Sequence, residues 1–315
     1  MASYLSHCMS KDHPWQDTME VSMSSLPSLR IILFSLLAPA TIQAFVSELE
    51  TLGQHVLLLV ISPGTRKHPV SHYLQIVANA PRGLDVLVAS HMQRLPEILQ
   101  GLSPDLILVA GFPRKFPPAL LDVPRLGCVN WHPSLLPRYR GPEPIFWQFM
   151  NGETQTGITF HRMDADIDTG PILVQRDMEL DCAEDLSSYF ASFLPPSLAA
   201  LPDALQAIVS GNSGIPQPIE GTCYAPHVTN AERWLDWTRS AKQLRRQVCL
   251  WRNLGGARAT INDQHLSIHQ AQVINTLPSD RSASPGSVLR RSSAGMVVQT
   301  GQDALFLQEY SCEPN

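Results

Sequence analysis

Apolar residues in the first two hundred positions come in short solid runs separated by longer mixed stretches. Residues 30–36 (RIILFSL), 55–61 (HVLLLVI), 84–89 (LDVLVA) and 105–110 (DLILVA) are of strand length and lack polar alternation. Runs of that kind predict strands covered on both faces. Between them, Ile42, Phe45, Val46 and Leu49 recur at helical spacing within 41–52, and 92–102 reads as a helix. Strand and helix in alternation predict right-handed βαβ units and a mostly parallel sheet, a Rossmann-like α/β domain.

The rhythm breaks at 112–144, a Pro-rich stretch. It predicts a long functional loop without regular helix or central strand, apart from a strand-like 127–129. Residues 156–163 and 171–180 then read as strands, and 186–209 as a helix interrupted by Pro195, Pro196 and Pro202. Gly and Pro crowd 211–226, which predicts a linker. Beyond it lie an amphipathic helix at 238–251 and short strand-like runs at 258–261, 265–269, 286–289, 296–300 and 304–308. Many short strands with polar turns predict a small β-barrel or sandwich. Four segments follow: a leader at 1–28 without apolar periodicity, expected to be disordered; a catalytic domain at 29–210; a linker at 211–225; and a C-terminal domain at 226–315.

Composition sharpens this in three ways. The 315 residues, 44% of them hydrophobic, suffice for two cores. A net charge of -5 argues against a generic nucleic-acid binder. Cys8, Cys128, Cys182, Cys223, Cys249 and Cys312 are scattered with no C-x-x-C pair, which argues against a zinc ribbon or disulfide framework and predicts a reducing, cytoplasmic setting. The apolar run at 31–38 lies too deep in the chain for a signal peptide, and Met19 and Met23 are alternative starts. The leader carries Asp12, Asp17 and Glu20 against one basic residue, Lys11, unlike a mitochondrial presequence. The sequence does not fix an oligomeric state.

Two patches carry candidate chemistry. The first is Asn130-Trp-His132-Pro-Ser134-Leu135-Leu-Pro137-Arg-Tyr-Arg140-Gly141-Pro. It follows a strand, and ligands of parallel α/β sheets bind at carboxyl ends of strands. In extended chain Asn130 and His132 face one side, where an amide and an imidazole can hold an oxyanion. Taken alone, Asn-x-His is as readily a turn cap beside a histidine that serves a backbone carbonyl. The second patch is His161-Arg-Met-Asp164-Ala-Asp166-Ile-Asp168-Thr-Gly170. Its alternating carboxylates fail the calcium-loop template, because Thr169 stands at the sixth position and Gln175 at the twelfth, so no metal is expected. A carboxylate there pairs with a nearby imidazolium, or is a solvated acidic turn. No G-x-G-x-x-G follows the first strand, and there is no P-loop, H-E-x-x-H or G-x-S-x-G.

Together the patches resemble the formyltransferases that use 10-formyltetrahydrofolate. The resemblance rests on Asn130-x-His132-x-Ser134-Leu-Leu-Pro137, Arg140-Gly141-Pro142, Gly157-x-Thr159-x-His161-x-Met163 and Asp168-Thr-Gly170-Pro. A weaker likeness to the methionyl-tRNA branch continues through Tyr224-Ala-Pro226, Asp236-Trp237 and Pro285-Gly286. The resemblance implies a small open β-barrel (OB-like) C-terminal domain that contributes to tRNA binding. It implies that Asn130 and His132 stabilise the oxyanion, and that Asp168 keeps His132 protonated and helps remove the amine proton. It implies that the folate cosubstrate lies against Ala110, Gly111, Phe112, Ser134, Leu135, Asp164 and Asp166. Arg140, Arg245 and Arg246 are the expected contacts to a tRNA acceptor.

Two departures keep other acceptors open. Residues 36–41 (LLAPAT) replace the Gly-Thr-Pro turn of the tRNA enzymes, and their long basic loop is short here, with Arg66 and Lys67 alone firmly positive. Against that, residues 226–315 hold ten Lys or Arg and seven Asp or Glu, a net of +3, leaving -8 for the remainder. Arg239, Lys242, Arg245, Arg246 and Arg252 form either a basic RNA-facing helix side or a solvated one. The expected activity is formyl transfer to methionyl-tRNA; the alternatives are a small amine such as an amino sugar nucleotide or peptide precursor, and hydrolysis of the folate.

Overall fold

The computed structural model describes residues 26–63, 70–179, 186–275 and 282–312, so most of the leader and the Arg66–Lys67 loop lie outside the described residues. The chain forms two compact units. One comprises the chain up to Pro142 with Thr156–Met178 and Phe193–Ala225; the other comprises Glu143–Gln155, Glu179–Ser192 and Pro226 onward.

In the first unit, β1 (Arg30–Ser35), β2 (His55–Ile61), β3 (Val86–Val88), β4 (Leu106–Ala110) and β5 (Cys128–His132) run parallel. With β6 (Gln155–Arg162), antiparallel to β5, and β7 (Ile172–Glu179), they form a seven-stranded sheet ordered β3-β2-β1-β4-β5-β6-β7. The chain winds outward from β1 to β3, then returns to place β4 on the other side of β1. The strand order therefore reverses between β1 and β4, the point at which such sheets bind ligands.

Period-two alternation sorts the strands' side chains between two cores. One face carries Ile32, Phe34, Val60, Ile107, Val109 and Cys128, packed with Leu95, Leu99, Phe116 and Leu120. Trp131, on the opposite face of β5, meets Phe45 of helix α1 (Pro39–Thr51) with ring centroids 5.8 Å apart. Its indole N–H donates to Ser197 on a later helix (2.7 Å). Because Trp131 is committed to one face, Asn130 and His132 project from the other.

The strand-like runs at 30–36, 55–61 and 105–110 form strands, and 84–89 contracts to the three residues of β3. Helix α2 (Val70–Ala78) had no counterpart in the sequence reading, and 92–102 divides into a 3₁₀ turn and α3 (Leu95–Gln100). The Pro-rich stretch is a correction. It contains β5, an interior strand between β4 and β6, and α4 (Pro118–Leu121). The prolines respect both: Pro118 opens α4, where no N–H is needed, while Pro124 and Pro133 flank β5 outside its ladder. Helix α5 (Pro144–Asn151) follows. The expected helix at 186–209 is two, α6 (Leu186–Ala191) and α7 (Leu194–Val209). Pro195 and Pro196 occupy the first turn of α7; Pro202 sits inside it and removes one backbone bond.

In the second unit, β8 (Ala257–Ile261), β9 (Gln264–Ile274), β10 (Val288–Ser292), β11 (Gly295–Gln299) and β12 (Ala304–Cys312) form an antiparallel sheet ordered β10-β11-β12-β9-β8, the small barrel-like domain. Register shifts at Leu307–Glu309 and Glu309–Tyr310 interrupt the long β9–β12 ladder, as bulges that curve a sheet do. Helix α8 (Ala241–Trp251) begins with a reciprocal cap between Ser240 and Gln243. It buries Leu244, Val248, Leu250 and Trp251 and leaves Lys242 exposed.

Candidate active site

The sequence places Asn130 and His132 two apart on β5, so the pleat puts them on one face. Across the antiparallel ladder Asn130 pairs with His161 and His132 with Thr159, so the Asn-x-His of β5 lies against the Thr-x-His of β6. The loop that leaves β6 then returns Asp168 to the same place.

The three expected catalytic residues come together. Asp168 Oδ1 accepts from Asn130 Nδ2 (3.2 Å), and Asp168 Oδ2 accepts from the Gly141 backbone N–H (2.8 Å). His132 Nδ1 lies 3.6 Å from Asp168 Oδ2, close enough for charge to act but too long for a hydrogen bond. His132 Nε2 is 2.8 Å from the Tyr139 carbonyl, which can only accept, so Nε2 carries the proton and leaves Nδ1 toward Asp168. His161, which the sequence motif contains without a site role, has its Nε2 3.2 Å from Asn130 Nδ2 and 3.6 Å from Asp168 Oδ1. Its Nδ1 donates to the Arg162 carbonyl (2.8 Å), which leaves Nε2 to accept from Asn130. Strict alternation in Gly157-x-Thr159-x-His161 was the available signal.

Burial dominates the electrostatics. His132 is 4% exposed, and desolvation pushes its imidazole below the ordinary histidine value. The Asp168 charge opposes that shift without overcoming it. Burial thus holds His132 of the free site toward its neutral form, while Asp168 acts in the direction the sequence led us to expect, favouring the protonated imidazole. Burial also acts on Asp168 by raising its pKa, but His132, His161 and the Gly141 N–H outweigh it. The carboxyl is held well below the usual carboxylate range and stays ionised.

The loop after β5 is fixed from beneath. Thr159 Oγ1 donates to the Ser134 carbonyl (2.7 Å) and accepts from Gln175 Nε2 (2.9 Å), which also donates to the Leu136 carbonyl (3.0 Å). Thr159 and Gln175 are buried, and neither was picked out as a site residue. At the loop's far end Gly141 has φ +111°, and a Cβ there would meet the Ala225 carbonyl at 2.8 Å. Only glycine brings that N–H to Asp168.

The expected folate contacts divide. Ala110 ends β4 at the strand-order reversal, and the Gly111 carbonyl accepts from Leu36 N (3.1 Å) across it. The Phe112 ring packs edge-on against Phe34 (centroids 5.2 Å) and Phe116 (6.1 Å). Ser134 is buried, with its hydroxyl donating to the Arg138 carbonyl (2.7 Å), and Leu135 is buried against Gly157. Asp164 ties its own loop, accepting from Thr169 Oγ1 (2.7 Å) and Asp166 N (3.2 Å). Asp166 is exposed, 3.8 Å from Lys115 Nζ.

The expected tRNA contacts divide too. Arg140 gives its guanidinium to Gln217 Oε1 (2.9 and 2.6 Å). Arg246 lies over Gly152 and donates to the Met150 carbonyl (3.4 Å), whereas Arg245 is half-buried beside the exposed Lys242.

The formyl transferase family matches residues 43–205, and the formyl transferase C-terminal domain matches 227–314. A methionyl-tRNA formyltransferase of Citrifermentans bemidjiense is 33% identical over 83% of this chain and 82% of its own. One from Ralstonia nicotianae is 30% identical over 91% and 89%. Among solved structures, HypX from Aquifex aeolicus in complex with tetrahydrofolic acid superposes with a TM-score of 0.63 at 19% identity, covering 91% of this chain and 45% of that one. WlaRD, a sugar 3N-formyl transferase, gives 0.61 at 14% identity, covering 90% and 98%; likeness at such identity speaks for the fold alone. Matched in both halves, and over most of its length by relatives at 30% identity or more, the chain belongs to the formyltransferase family.

Proposed function

We propose that this enzyme transfers the formyl group of 10-formyltetrahydrofolate to the amino group of methionyl-tRNA. The observation that carries the chemistry is the ionised Asp168, held by Gly141 and Asn130 and facing His132 Nδ1 at 3.6 Å. The acceptor follows the relatives that align over four-fifths or more of the chain, which are methionyl-tRNA formyltransferases.

The reaction forms a bond from the amine nitrogen to the formyl carbon and breaks the bond from that carbon to the folate nitrogen. One proton leaves the amine and one reaches the departing nitrogen. A neutral imidazole beside an anion serves this exchange. His132 accepts the amine proton at Nδ1, Asp168 stabilises the imidazolium while it exists, and the proton passes to the leaving nitrogen. Asn130 turns an amide N–H from the carboxylate to the developing oxyanion, which shares its negative charge. Folate lies at the carboxyl ends of β4 and β5, between Ala110–Phe112 and the Asp164–Asp168 loop. For the acceptor, Lys242 and Arg245 on α8 remain the cations available to phosphates, since Arg140 and Arg246 serve internal partners. Among the described residues no helix is long and apolar enough to cross a membrane, and we place the enzyme in the cytoplasm.

The test supplies 10-formyltetrahydrofolate with charged initiator methionyl-tRNA and measures formylmethionyl-tRNA. Product in proportion to folate consumed is the expected result. Folate turnover without formylated tRNA would point to hydrolysis or to a small amine.

A further inference from the structure

Residues 211–225 read from the sequence as a plain linker, yet one side chain in them turns inward. Gln217 is half-buried between two exposed prolines, Pro216 and Pro218, whose rings restrict the backbone on either side of it. The segment is moored just before this point. Ile215 exchanges backbone hydrogen bonds with Ile172 (2.8 and 2.9 Å), and Arg162 donates to the Asn212 carbonyl (2.7 and 3.1 Å).

Every hydrogen-bonding edge of the Gln217 amide is used. Nε2 donates to the carbonyls of Asp168 (2.9 Å) and Gly170 (2.8 Å), and Oε1 accepts both Arg140 bonds. Asp168 needs such a hold. Its φ is +54°, a left-handed conformation that costs a non-glycine residue about 1 kcal/mol or more. The partner that orients the Asp168 carboxylate, Gly141 N, belongs to the residue next to Arg140. Gln217 thus joins the two loops that meet at the carboxylate: it grips the backbone of one directly and the other through Arg140.

We infer that Gln217 is a positioning residue for formyl transfer, holding the Asp168 carboxylate against His132 without touching substrate. Arg140 serves the same purpose, by fixing which end of the Gln217 amide faces the Asp168 loop. The inference rests on the proposed reaction only for its kinetic consequence; the geometric consequence can be read without turnover.

The test uses the full chain with Gln217→Met, which keeps length and loses both donors. The first readout is the NMR titration of His132, whose charged or titratable neighbours are Asp168, His161 and Arg140. With Asp168 loosened, the titration midpoint should fall toward that of Asp168→Asn, and adding Gln217→Met to Asp168→Asn should move it no further. A midpoint equal to or above the wild-type value, or one that still moves in the Asp168→Asn background, overturns the assignment. The second readout is formylation of methionyl-tRNA: kcat should fall about tenfold or more with KM within about threefold, the pattern of a misaligned reacting group. Gln217→Glu keeps an acceptor for Arg140 but loses the donors and sets a charged oxygen against the two carbonyls, so it should lose kcat at least as far; retained kcat in both variants also overturns the assignment. If wild-type enzyme formylates no tRNA, the proposed function has failed, and the titration still decides the role of Gln217.

Discussion

His132 is constrained at both ring nitrogens. Its Nε2–H is fixed on the Tyr139 carbonyl and its Nδ1 looks at an anion, while burial disfavours its charge. Its titration midpoint should therefore lie below about 6.5, the ordinary value, and Asp168→Asn should lower it further by removing the charge that favours the imidazolium. A midpoint above the ordinary value, or one indifferent to Asp168→Asn, would contradict the electrostatics described above. His132→Ala should lose about 10²–10⁴-fold in kcat, the range for a positioned acid–base group. The same change should cost about 0.5–1.5 kcal/mol of stability, because it removes the buried hydrogen bond to the Tyr139 carbonyl; urea unfolding alongside kinetics checks both. Asn130, His132 and Asp168 were legible as a set because their order and spacing resemble a known family. Thr159 and His161 were legible as members of the same motif but without a role, and Gln217 was not legible, since a strand partner or a side chain from a supposed linker becomes a neighbour only after folding.

At the scale of elements, the parallel strands were readable because a strand buried on both faces needs solid apolar sequence. Helix α2 was missed because its nine residues give too short a window for helical periodicity to stand out. Strand β5 was half hidden because the prolines that discouraged a central strand stand just outside it. The loop between β6 and β7 depends on close approach. Gly170 sits so near the Arg162 carbonyl that a Cβ would lie 1.9 Å from its oxygen, and that atom is backbone. Gly170→Ala must move the loop that carries Asp168 two residues earlier. It should cost about 1–3 kcal/mol, as overpacking does, and depress kcat more than KM. Normal kcat in Gly170→Ala would show that the loop tolerates displacement and that its register is not what sets Asp168.

For the whole molecule, the proposed tRNA acceptor requires a chain of net charge -5 to meet a polyanion. The excess of cations beyond residue 226 concentrates the attraction in the second unit. Lys242→Glu with Arg245→Glu should raise KM for methionyl-tRNA about tenfold or more and reduce its salt dependence, leaving kcat nearly unchanged, because phosphate contacts supply binding rather than chemistry. An unchanged KM would move the tRNA contact away from α8. The most direct test of the central claim is a single assay of purified enzyme with 10-formyltetrahydrofolate and charged initiator methionyl-tRNA, run beside His132→Ala. The account predicts one formylmethionyl-tRNA for each folate deformylated, and near-absence of both in the variant. Folate deformylated at an equal rate without tRNA, or by His132→Ala as fast as by the wild type, would contradict it.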